Sequence, residues 1–164
     1  MLTLELLQQL ENQVAKKQGR LPATIIQEDL DTDLNDVASM YVKDDNTIVL
    51  NTNNIFSLND IELIATILHE GRHAYQWHQI QNPELTCESI DTIKVWSDEF
   101  ENYHQYKVIE NDDNNPVLSI EIDAISYTNL NIYNMTRLKT KINPSIQNLV
   151  KKRQEEIKNR IDNF

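Results

Sequence analysis

The hydrophobic pattern opens with a helix. Leu2, Leu4, Leu6, Leu7, Leu10 and Val14 are spaced to share one face, which predicts a helix over residues 2–18 with Gly19 at its stop. Pro22 then opens a short apolar run, Ala23 to Ile26, and the acidic stretch behind it (Glu28, Asp29, Asp31, Asp33, Asp36) reads as loop. Residues 39–51 switch to a period of two. Met40 and Val42, then Ile48 and Leu50, alternate with polar positions around Asp44-Asp45-Asn46, the chain's clear hairpin signal. Ser57-Leu58-Asn59-Asp60 reads as a helix start, with Ser57 as cap and Asp60 reaching back. The helix carries Ile61, Leu63, Ile64, Ile67 and Leu68, continues to about Gln79, and meets a stop at Pro83.

A second long helix is expected over 87–108, with Trp96, Phe100, Tyr103 and Tyr106 as its large residues, followed by a polar loop at 110–115. Pro116 suits the first turn of a helix over 117–133, although Ile120 and Ile122 alternate and leave a strand open there. Pro144-Ser145 opens a last helix with an apolar stripe of Ile146, Leu149, Val150, Ile157, Ile161 and Phe164. The expected class is therefore α+β, mostly helical, with a small β-hairpin or sheet beside the long helix that begins near residue 57.

Composition narrows this picture. At 164 residues and 40% hydrophobic, the chain suits one domain, 1–164, with a sizeable core. A formal charge of −11 repels phosphate backbones and argues against nucleic acid as a partner. The single cysteine, Cys87, allows no internal disulfide and fits a reducing compartment. The N-terminus lacks the pattern of a signal peptide, and no stretch has the length of a membrane span, so a cytoplasmic protein without a membrane partner is expected.

Chemistry is concentrated in His69-Glu70-Gly71-Arg72-His73. On a helix, residues four apart project side by side, so His69 and His73 can hold one zinc ion through ring nitrogens. Glu70 is tilted off that axis and suits a general base acting on water. The preceding hairpin could hold an extended peptide or protein substrate along its edge. A catalytic zinc site keeps three protein ligands and one open position. The third is not the histidine of the metzincin pattern, because Gln76 and Gln79 stand where glycine and histidine would be needed. It is expected to be a carboxylate on a later helix. Glu121 is favoured, being an acidic residue inside an apolar segment where burial is costly without a partner. Asp123 is the alternative. On a helix the two point roughly 200° apart, so one would ligate and the other could hydrogen-bond a ligand histidine from behind.

The arrangement of His69-Glu70-x-x-His73 on one helix and Glu121-x-x-Ala124 on a later one resembles a minimal gluzincin. With the hairpin in front, residues 39–128 resemble the small zincin-like domains of ImmA/IrrE-type metallopeptidases. That resemblance implies a compact α+β domain, zinc held by His69, His73 and Glu121, Glu70 as base, and peptide hydrolysis. The chain differs from that family's pattern at Arg72, at Ile125, and in carrying no recognisable helix-turn-helix. A zincin scaffold without turnover, acting as a protein-binding module, is the rival expectation.

Other features have plainer explanations. Most of the aromatic residues suit a core, while Tyr103, Tyr106 and Tyr127 are candidates to donate to an oxyanion. His78 and His104 lack partners at ligand spacing and read as polar positions at the surface or behind the site. Gly71, one of two glycines, marks either a close approach or a tolerated cost. The basic segment 137–160 reads as a solvated helix face, with an acidic partner or a second copy as the alternative.

Overall fold

The computed structural model describes residues 2–30, 37–103 and 117–158. Tyr106, His104 and Pro116, and the tail positions Ile161 and Phe164, lie outside the described residues. The elements run α1 (Leu4–Lys17), β1 (Thr24–Glu28), β2 (Ser39–Val42), β3 (Thr47–Asn51), α2 (Thr52–Ile55), α3 (Asp60–Gln81), α4 (Ile90–Glu101), α5 (Ser119–Thr136) and α6 (Gln147–Ile157). The fold is α+β and mostly helical, with one small sheet.

The hairpin is where alternation puts it. β2 and β3 pair antiparallel, with Met40 opposite Val49, and Asn46 takes the left-handed conformation the turn requires. The sheet has a third strand that the sequence pattern left as an unassigned apolar run. β1 lies parallel to β3, Ile25 beside Ile48, giving the order β1-β3-β2. Only Ile25 of β1 is fully buried, so its identity comes from the long-range pairing rather than from its own alternation. β2 is left at one edge of the sheet.

The helix starts follow local hydrogen bonding. Thr3 caps α1 through its hydroxyl, and Gly19 takes a positive φ just past the helix end. The long helix begins later than Ser57 implies. Asn59 is the cap: its side chain accepts from Ile61 N and Glu62 N, while Glu62 accepts from Asn59 N. Ser57 instead donates to Asn54 O. An amide cap with glutamate three residues on satisfies orphan donors in both directions, and Asp60 is left inside the first turn. Residues 119–136 are helical, which decides against a strand at Ile120 and Ile122.

α1 and the sheet cover one side of α3, where Leu7, Ile25, Ile48, Leu50, Leu63 and Ile67 form a core. α5 covers the other side, backed by α6 and flanked by α4. From Glu70 to Gln76, seven consecutive residues of α3 are buried. A helix buried all round must satisfy every polar side chain from its neighbours, and four of those seven are Glu, Arg, His and Gln. Gly71 shows how closely α1 approaches. A Cβ there would stand 2.8 Å from Glu11 Oε2 and 3.1 Å from Arg20 Nη2. Arg20 donates to Gly71 O at 2.9 Å and forms a buried ion pair with Glu11. The glycine is there for a close approach.

Candidate metal centre

α3 and α5 supply the centre. His69 and His73 lie one turn apart on α3, and their Nε2 atoms face each other at 3.1 Å. Glu121, in the first turn of α5, reaches them from across the helix interface. Its Oε2 is 3.2 Å from His69 Nε2, and its Oε1 is 3.5 Å from His73 Nε2. All three ligand atoms lie within 4.8 Å of one another. A tetrahedral ion with bonds of about 2.0–2.2 Å holds neighbouring ligand atoms about 3.3–3.6 Å apart. The nearest contacts, 3.1, 3.2 and 3.5 Å, lie close to that spacing but involve both Glu121 oxygens. With one atom per residue the group spans 4.8 Å, so a small side-chain adjustment would close it on a zinc-sized cation.

The position of Glu121 depends on α4. Leu118, at the start of α5, offers no side-chain cap. Glu99 of α4 does the capping: its carboxylate accepts from Ser119 N and Ile120 N, both at 2.9 Å, and from Ser119 Oγ at 3.0 Å. A carboxylate at a helix N-terminus satisfies orphan donors and complements the dipole. Glu99 was invisible as a site residue in sequence because its role depends on a neighbour twenty residues away.

Glu70 is buried beside the histidines, and Ser39 Oγ, at the start of the edge strand β2, donates to its Oε1 at 2.7 Å. Tyr103 donates to Glu121 Oε1 at 2.9 Å, so its hydroxyl steadies that carboxylate. Tyr127 is fully buried, with the Arg72 guanidinium 4.7 Å from its ring centre, and belongs to the core between α3 and α5. Of the tyrosines considered as oxyanion donors, Tyr103 alone among the described residues touches the cluster. Phe100 meets the His73 ring edge-on at 6.3 Å, and Trp77 packs on Phe100, forming an aromatic wall beside the ligands.

Asp123 does not reach the cluster, and it does not hydrogen-bond a histidine directly. It is 1% exposed and accepts from Arg72, Arg153 and Gln76. Gln76 stands between it and the site, pairing with His73 Nδ1 at 2.8 Å. Its position three residues past His73 was the available signal, since such residues are neighbours on a helix. Arg72 and Arg153 also share Glu88, so two cations and two anions balance in the interior. The Arg72 guanidinium lies against both the Tyr75 and the Tyr127 ring, 4.0 and 4.7 Å from their centres. Arg153 thus turns from the solvated basic face that the sequence suggests toward this interior, partly buried and paired on its outer side with Glu156. His78 remains at the end of α3 with Asn82.

Charges follow from these contacts. Burial disfavours a protonated His73, but the nearby Glu121, aided by Glu70 and Gln76, pushes its pKa up to about 9. Burial would raise Glu121, yet His73 and His69 hold it well below the usual carboxylate range. Asp123 is likewise held far below that range, because Arg72 and Arg153 outweigh its burial. The ionised Glu121 thus holds a proton on His73, and a divalent cation would displace it to leave a carboxylate and imidazoles as the donor set.

No helix among the described residues is long and apolar enough to cross a membrane. Comparison with family models, curated proteins and solved structures finds no match.

Proposed function

We propose that the chain is a zinc-dependent peptidase of the gluzincin kind, with His69, His73 and Glu121 as ligands and Glu70 as general base. The observation that carries this reading is the convergence of three ligand atoms from α3 and α5 within 4.8 Å, with the Glu70 carboxylate on the same helix. The order of elements supports it too: a hairpin, then the motif helix, then the helix bearing Glu121, as in zincin-like domains.

His69, His73 and Glu121 would hold the zinc ion, which when bound would supply Lewis acidity toward a scissile carbonyl and toward water near neutral pH. Glu70 receives the proton of the attacking water and delivers it to the leaving amine. Ser39 fixes the Glu70 carboxylate through one oxygen and leaves the other available. Among the described residues the outer side of β2 carries no strand, and Ser39 places that edge beside Glu70. An extended peptide or protein substrate can pair there, with its backbone passing the base.

Two measurements test this. Protein purified without a metal-binding tag is expected to hold about one zinc per chain, lost in His73→Ala and Glu121→Ala. Retention in Glu121→Ala would reject Glu121 as a ligand. Glu70→Gln is expected to keep its zinc and to lose hydrolysis of a peptide library by roughly 10²–10⁴-fold. Unchanged turnover in Glu70→Gln would sink the mechanism. A wild type that binds zinc and partner proteins but cleaves none would favour the scaffold reading.

A further inference from the structure

We propose that Gln76 is a positioning residue that fixes the tautomer of His73, so that its Nε2 is the metal-binding atom, and that α6 holds Gln76 in that role through Arg153 and Asp123. This rests on the metal-site reading above.

The direction in which one buried amide points decides the tautomer. Gln76 is 0% exposed, so water cannot complete its hydrogen bonding. Its Nε2 lies 2.9 Å from Ile120 O and 2.7 Å from Asp123 Oδ2. Both are pure acceptors, one a carbonyl and one a carboxylate, so the amide nitrogen must be the group between them. Flipping the amide would set its oxygen against two acceptors at hydrogen-bond distance. The orientation is therefore fixed by the two acceptors that face it.

Once Nε2 is placed, Oε1 has to face His73 Nδ1, at 2.8 Å. Oε1 cannot donate. Nδ1 must therefore carry the hydrogen, which in a neutral ring leaves the lone pair on Nε2. That atom is the one directed at His69 Nε2 and Glu121.

Asp123 is held in turn. Arg72 donates to both its oxygens, at 2.8 and 3.2 Å, and Arg153 of α6 donates to Oδ1 at 2.7 Å. The chain of contacts runs from Arg153 on α6, through Asp123 on α5, to Gln76 and His73 on α3. The same amide also ties α3 to Ile120 O, one residue before the ligand Glu121, and so sets the spacing of the two ligand-bearing helices.

The test uses full-length wild type and Gln76→Leu, which keeps the bulk and loses the acceptor. Zinc affinity is read by competition with a chromophoric chelator, and ligand geometry by the visible spectrum of the cobalt-substituted protein. Histidine ring nitrogen shifts on zinc-loaded wild type report the tautomer without any substitution. The expected result is His73 protonated at Nδ1 and bound through Nε2 in wild type. In Gln76→Leu, zinc binding should weaken by roughly 10–100-fold with an altered cobalt spectrum. A merely structural Gln76 would lower the melting temperature and leave zinc affinity and cobalt spectrum unchanged in the folded variant, and that overturns the proposal. Metal found on Nδ1 in wild type overturns it as well, and this decides the matter if Gln76→Leu does not fold. Zinc binding by wild type, with either of these failures, would leave the peptidase reading standing. A wild type that takes up no zinc would remove both.

Discussion

At the residue scale, the motif helix is constrained from behind as well as from the face that carries the histidines. Gly71 faces Glu11 and Arg20, whose ion pair is buried and whose carboxylate also accepts from Ala23 N. Replacing Gly71 with Ala gains about 1 kcal/mol of helix propensity. It also inserts a methyl 2.8 Å from a carboxylate oxygen. Overpacking of this sort costs about 1–3 kcal/mol. Because both Glu11 oxygens are pinned, the packing cost is expected to win, and Gly71→Ala should unfold at lower urea than wild type. A midpoint at or above the wild-type value would show that the carboxylate can step aside. Gly71 was legible as one of two glycines in the sequence, but only the structure separates a close approach from drift. Gln76 was legible as a neighbour of His73 by spacing. What its amide bonds to was not, because Asp123 and Ile120 lie on another helix.

At the scale of elements, the two helices that form the cluster start differently. α3 carries its own capping box, Asn59 with Glu62. α5 has no cap of its own and borrows Glu99 from α4. Local signals find the first kind to within a few residues and miss the second. Ser57 and Asp60 have the right residue types at capping-box spacing, yet Asn59 with Glu62 has the same spacing and wins two positions later. Asn59→Ala is therefore expected to cost about 1 kcal/mol in thermal or denaturant unfolding, and Ser57→Ala only a fraction of that. The reverse ranking would put the helix start back at Ser57. β1 went unassigned for a related reason. A strand with one buried residue is defined by its partner, and β3 is separated from it in sequence by β2.

At the scale of the whole molecule, the interior between α3, α5 and α6 is unusual in holding four charges: Arg72, Arg153, Glu88 and Asp123. Removing one member of a buried charge network typically costs about 3–5 kcal/mol, because the partners are left uncompensated. Asp123→Asn is expected to lose stability on this scale near neutral pH. The pH dependence has a definite sign. Asp123 is depressed in the folded protein, so its contribution is present above the ordinary carboxyl pKa and is lost as pH falls below it. The gap between wild type and Asp123→Asn in denaturant unfolding should therefore narrow below about pH 4. A gap that stays constant into acid would mean that the charge of Asp123 contributes little.

The amino-acid sequence by itself determined the local features: the hairpin, most of the helices and the side-by-side histidines, while it favoured Glu121 and left Asp123 open. Helical and strand periodicity, turn residues and one-turn spacing are short-range physics, and a single chain displays them directly. Only the tertiary structure decided that β1 joins the sheet, that Glu121 rather than Asp123 meets the histidines, that Glu99 caps α5, that Asp123 contacts His73 through Gln76, and that Arg72 is an interior residue with Arg153 reaching in from α6. Each of these depends on which elements lie against one another. A buried polar group is stable only with its partner in place, and here each partner comes from a different element of the fold.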